Sequence, residues 1–121
     1  MAGAETILFV EDEAFVREVA GEVLRAAGYR VLMAKDAAAA ARTYDLEGGG
    51  VDLLLTDVVL PGENGLALAA RLRRANPKLK VLVITGYAER MKADTTGAHL
   101  AKPFSGGVLL RKVRQVLDLA K

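Results

Sequence analysis

The chain has 121 residues, 52% of them hydrophobic and only 5% aromatic, which suits one domain with an aliphatic core. It has no cysteine, which excludes disulfides and thiolate chemistry, and no apolar stretch approaching the roughly 18 residues that read as a bilayer span. With 17 basic residues against 15 acidic ones the net charge is +2, too small to imply nucleic-acid binding.

The first apolar run, 6–10, predicts a strand, and two acids, Glu11 and Asp12, stand directly at its end. Over 13–27, Val16, Val19, Ala20, Val23, Leu24 and Ala27 recur at helical spacing, and Gly28 closes the helix they predict. A second strand is expected at 30–34. An alanine-rich helix follows over 36–46, with Asp36 as N-cap and Gly48, Gly49 and Gly50 as the break. The run 52–56 predicts a third strand with Asp57 at its tip, and a turn, Leu60, Pro61, Gly62, comes at once. Asn64 caps a third helix that reaches Asn76 and Pro77, with Leu66, Leu68, Ala69 and Leu72 facing inward. A fourth strand, 80–84, leads to Thr85, and a short fifth, 99–101, leads to Lys102.

The interval between Thr85 and Lys102 must hold a loop, a helix, another loop and a strand. Residues 93–97 are poor helix formers, so the fourth helix is expected to be short or irregular, near 89–93. The last helix starts at Ser105 and turns Leu109, Leu110, Val113, Val116, Leu117 and Ala120 inward. No linker or repeat interrupts 1–121, which reads as a single domain. The first, third and fourth runs are apolar throughout, as in strands covered on both faces of a parallel sheet. Strands alternating with helices predict an α/β fold with right-handed crossovers and helices on both faces.

In open α/β sheets ligands bind at the carboxyl rim. Here four strand tips bring three acids, a hydroxyl and an ammonium to that rim. Glu11, Asp12 and Asp57 repel one another unless a cation neutralises them, and Mg²⁺ favours such oxygen ligands. Asp12 and Asp57 are placed to bind it directly and Glu11 through water. A metal held there also grips a phosphate oxygen. Asp57 is then a candidate nucleophile toward phosphorus, forming an acyl phosphate. Lys102 offers a point positive charge to one phosphoryl oxygen, and the Thr85 hydroxyl a hydrogen bond to another. Gly86 allows close backbone approach, and backbone N–H groups after Asp57, beginning at Val58, complete the cradle.

This constellation resembles the receiver domain of bacterial two-component response regulators, and the likeness covers nearly the whole chain. Glu11 and Asp12 match the family's acidic pair, Asp57 its phosphoacceptor, Thr85 its hydroxyl residue and Lys102 its lysine. Lys102, Pro103 and Phe104 match its Lys-Pro-Phe, whose Lys102–Pro103 bond the resemblance implies is cis. The implied fold is a (βα)5 doubly wound, five-stranded parallel sheet in the flavodoxin-like order 2-1-3-4-5. The resemblance implies phosphorylation of Asp57 by a histidine kinase or histidine phosphotransfer protein with Mg²⁺, and a change of conformation that signals to a protein partner. It implies the Val59 carbonyl as a further metal ligand, and the Val59 side chain, with Tyr87, as a determinant of how fast water removes the phosphate.

Two departures stand out. The family's aromatic switch residue falls on His99, and Tyr87 in Thr85-Gly86-Tyr87 is a candidate to share that role. The stretch between Thr85 and Lys102 is also short for a full helix. The opening, from Glu5 to Asp12, resembles receivers attached to hybrid histidine kinases. The expectation is a cytoplasmic, monomeric or weakly dimeric phosphoacceptor with no secretory signal, no membrane attachment and no direct nucleic-acid contact. Its only catalysis would be its own phosphorylation and dephosphorylation. Two alternatives remain: a phosphatase-type enzyme working through an aspartyl phosphate, and a receiver-like module that acts without phosphorylation. The first commonly needs an acid two residues after the nucleophile, where this chain has Val59. A dinucleotide-binding reading fails because the turn at Glu11–Ala14 is acidic and has no glycine.

Overall fold

A computed structural model describes residues 5–86 and 98–119. The elements are β1 (Thr6–Val10), α1 (Ala14–Ala26), β2 (Arg30–Ala34), α2 (Ala37–Leu46), β3 (Leu53–Asp57), α3 (Gly65–Ala75), β4 (Lys80–Thr85), β5 (Ala98–Ala101) and α4 (Gly106–Leu117). The five strands form one parallel sheet in the order β2-β1-β3-β4-β5. The short helix expected near 89–93, and Tyr87, lie outside the described residues. No described helix is long and apolar enough to cross a membrane.

Alternation along the strands splits the core in two. Ile7, Phe9, Leu53, Leu55, Leu82 and Ile84 point to one face, where Leu24 of α1 and Leu109 and Val113 of α4 cover them. Leu8, Val10 and Leu54 point to the other, against Ala40 and Tyr44 of α2 and Leu68 and Leu72 of α3. Every residue of β1 and β3 is buried. Thus Glu11 and Asp57, at the tips of these two central strands, are delivered by segments packed along their whole length.

The helix starts follow the expected chemistry. Asp36, Asn64 and Ser105 each accept a hydrogen bond from the backbone three residues on, at 2.8, 2.8 and 3.1 Å. At the end of α1, Gly28 adopts φ 102°, while its N–H donates to Arg25 and that of Tyr29 to Leu24. This is the Schellman arrangement, and it needs a residue that tolerates positive φ.

One inward assignment, Leu66, is corrected, and Val19, part of the apolar pattern of α1, also faces out. Val19 is 49% exposed and Leu66 54% exposed. At about 100° per residue, both sit well off the stripes formed by Ala20 and Leu24 on α1 and by Leu68, Ala69 and Leu72 on α3. Each helix therefore buries a narrower face than its apolar content suggested.

Candidate functional site

The carboxyl end of the sheet gathers Glu11, Asp12, Asp57, Thr85 and Lys102. Glu11 directly follows β1, and its N–H continues the pairing with β2 by donating to the Ala34 carbonyl at 3.0 Å. Its side chain is fully buried. Oε2 accepts from the Glu13 amide at 3.1 Å, whereas Oε1 has no hydrogen-bond donor among the described residues. Asp12 is exposed at the mouth. Carboxylate oxygens of Glu11, Asp12 and Asp57 lie within 4.8 Å of one another.

Asp57 ends β3 and is 5% exposed. Its Oδ2 accepts from Lys102 Nζ at 2.6 Å, and the same ammonium is 3.7 Å from Glu11 Oε1. Lys102 follows β5, where its N–H donates to the Thr85 carbonyl at 2.8 Å and so joins two neighbouring strand tips. The Lys102–Pro103 bond is cis. Thr85 is buried, and its Oγ1 has no partner among the described residues. Gly86 follows directly. By alternation, His99 shares a sheet face with Thr85, opposite to Leu100, and it is half-buried beside Val83 on β4.

One backbone assignment is corrected. The Val58 N–H is engaged by the Ile84 carbonyl at 3.0 Å, prolonging the β3–β4 ladder. The amide facing the Asp57 carboxylate is that of Val59, 3.4 Å from Oδ1. Strand pairing thus runs one residue past Asp57 and uses the first amide before the loop turns away.

Burial pushes the Glu11 carboxyl up to about 7, aided by the neighbouring charge of Asp57 and opposed by the Glu13 amide and Lys102. Burial would lower Lys102, but the hydrogen bond and charge of Asp57, with Glu11 and Glu13, outweigh it and hold the ammonium above its ordinary value. With all three acids ionised, one ammonium leaves two negative charges uncompensated, the charge of one divalent cation. The buried Oε1 without a donor and the all-oxygen donor set fit such an ion.

Gly65 has a role that the sequence reading missed. A Cβ there would lie 2.1 Å from the Asp57 carbonyl oxygen and 3.0 Å from Thr56 Oγ1, while the Gly65 amide donates to Val58 at 2.7 Å. The first turn of α3 is pressed against the backbone of the candidate nucleophile, and only glycine allows that approach. A poor helix former directly after a good N-cap was the available signal. Gly65→Ala is expected to lower unfolding free energy by about 1–3 kcal/mol, read by urea denaturation, and to shift the Asp57 amide resonance.

The raised Glu11 carboxyl gives a signed pH dependence. Between about 4.5 and about 7 the folded protein holds a proton that the unfolded chain has released. Without divalent cation, this contribution to stability is present near the lower bound and is lost as pH rises through about 7. Denaturation midpoints in chelator across this range are expected to show the slope in the native sequence and a weaker one in Glu11→Gln.

Comparison with known proteins agrees with this geometry. The family profile described as "Response regulator receiver domain" matches residues 7–114. The chain is 35% identical over 123 residues to the sensor kinase CckA of Brucella abortus, covering 98% of this chain but 13% of that kinase. It is 33% identical over 120 residues to the response regulator receiver protein CpdR of the same organism, covering 94% of this chain and 98% of CpdR. A crystal structure of the receiver domain from the hybrid histidine kinase CckA superposes with a TM-score of 0.81 at 38% identity, covering 93% of this chain and 99% of that one. With its sheet order, its rim of acids and these matches, the chain belongs to the response-regulator receiver family of two-component systems.

Proposed function

We propose that Asp57 accepts a phosphoryl group from a histidine kinase or histidine phosphotransfer protein, and that the modified chain signals to a protein partner. Residues 1–121 would act as one phosphoacceptor unit. What carries it is Asp57 itself: a buried strand-tip carboxylate, 2.6 Å from an ammonium and flanked by two further acids. Glu11, Asp12 and Asp57, with the Val59 carbonyl, would hold Mg²⁺. When bound, that ion supplies positive charge against the acids and the phosphoryl oxygens.

The chain's own groups perform the transfer. An Asp57 carboxylate oxygen forms the new bond to phosphorus as the bond from phosphorus to the donor's histidine nitrogen breaks, and the electron pair leaves on that nitrogen. Lys102 turns its ammonium from Asp57 to a phosphoryl oxygen. The Thr85 hydroxyl, without a partner among the described residues, donates to a second oxygen, and the amides of Val59 and Gly86 serve the same group. His99, on the Thr85 face of the sheet, is the candidate to respond when Thr85 moves, with Tyr87 as a second candidate. The phosphatase alternative has no carboxylate at position 59.

With Mg²⁺ and acetyl phosphate, the chain is expected to gain about 80 Da as a hydroxylamine-labile adduct, and Asp57→Asn to gain nothing. An adduct that persists in the variant, or one that never forms with either a small donor or a histidine kinase, rejects the proposal. The Val59 side chain is 57% exposed and cannot orient water. Val59→Asn is therefore expected to release phosphate several-fold faster in a single-turnover assay.

A further inference from the structure

Arg17 lies in the second turn of α1, outside the set of strand-tip residues. Its guanidinium reaches back to the loop, where Nη1 donates to the Glu11 carbonyl at 2.7 Å, a length typical of a charge-assisted bond. Glu11 is thus fastened three ways. Its N–H is held by Ala34, its Oε2 by the Glu13 amide and its carbonyl by Arg17.

The third fastening matters because α1 starts differently from the other described helices. Asp36, Asn64 and Ser105 cap their helices with a side-chain hydrogen bond, but Glu13, at the N-cap of α1, makes none. The loop without that bond is the one that carries two of the three clustered acids. Asp12 is exposed, so its carboxylate has little packing to hold it against repulsion from Glu11 and Asp57. What holds it near them is the loop backbone, and Arg17 grips that backbone from inside the helix.

The geometry points to Arg17 as a positioning residue of the cation site: by holding the Glu11 carbonyl it keeps the Glu11 and Asp12 carboxylates at the separation from Asp57 that a divalent ion needs. This rests on the Mg²⁺ reading of the acidic cluster. Arg17 touches no reacting atom, and its effect passes through the loop. Groups that orient the ligands of a metal commonly change affinity by about 10–100-fold when removed.

The test measures Mg²⁺ affinity by isothermal titration calorimetry, alongside urea denaturation in chelator, for the unaltered chain, Arg17→Met, Arg17→Lys and Arg73→Met. Arg73 is an exposed arginine in the last turn of α3. Arg17→Met keeps the length and removes the donors, and it is expected to raise the Mg²⁺ dissociation constant about tenfold. Arg17→Lys restores a charged donor and is expected to recover most of that loss, and Arg73→Met to match the unaltered chain. If Arg17→Met does not fold, Arg17→Ala, which also lacks a side-chain donor, replaces it with the same expectation. A lower denaturation midpoint with unchanged Mg²⁺ affinity assigns Arg17 a purely structural role and overturns the inference, as does failure of Arg17→Lys to recover affinity. Equal affinity in the unaltered chain and Arg17→Met overturns this inference alone, whereas an unaltered chain that binds no Mg²⁺ overturns it together with the cation-site reading.

Discussion

Glu11, Asp12 and Asp57 repel one another, and the strands that carry them leave little room to separate. β1 and β3 are hydrogen-bonded neighbours, buried along their whole length, and their tips end side by side. Moving Glu11 or Asp57 away would mean shifting a strand packed on both faces by helices, and Asp12 is tied to Glu11 through the loop. The repulsion is thus met where it arises, by the Lys102 ammonium and by the raised proton affinity that burial gives Glu11. The rest of the site follows from this frustration. In the proposed function a divalent cation would relieve it, and the ammonium and hydroxyl at the rim would serve an incoming phosphoryl group.

Much of this was legible in the residues. The 6–10 and 30–34 strands match their observed bounds, Asp36 and Asn64 cap the helices they were expected to cap, and Ser105, expected at the start of the last helix, is its N-cap. Apolar runs that end abruptly on polar residues are a strong local signal, because a strand buried on both faces tolerates few polar interruptions. What escaped depends on contacts between distant parts of the chain. The burden on Gly65 comes from the Asp57 carbonyl beneath it, and the engagement of the Val58 amide comes from β4. Val19 and Leu66 are apolar, yet they stand away from their helices' buried stripes, and composition does not reveal where such a stripe ends. The reach of Arg17 to Glu11 depends on how α1 leaves the sheet.

The opposite end of the sheet has a different character. Arg114 on α4 bonds Glu5 at 2.7 Å, Asp118 at 3.0 Å and the Tyr29 hydroxyl at 3.3 Å, and Asp52 accepts from the Thr6 amide at 2.8 Å. The hydrogen bond from Arg114 lowers the Glu5 carboxyl below its ordinary value. Here opposite charges meet and backbone groups are satisfied, although exposed pairs of this kind add little each. Favourable pairing lies at the amino ends of the strands and unfavourable crowding at the carboxyl ends. The crowded end can carry chemistry because the core and the paired end hold the domain together without it.

The buried Thr85 hydroxyl, lacking a partner among the described residues, has a thermodynamic corollary. A hydroxyl shut away from water without a hydrogen bond costs about 1–3 kcal/mol. Whatever ligand completes that bond recovers part of the penalty, so its binding free energy also becomes folding free energy. Occupancy of this rim and stability of the fold would thereby be linked, so that chemistry at Asp57, where proposed, would also register as a change in resistance to unfolding.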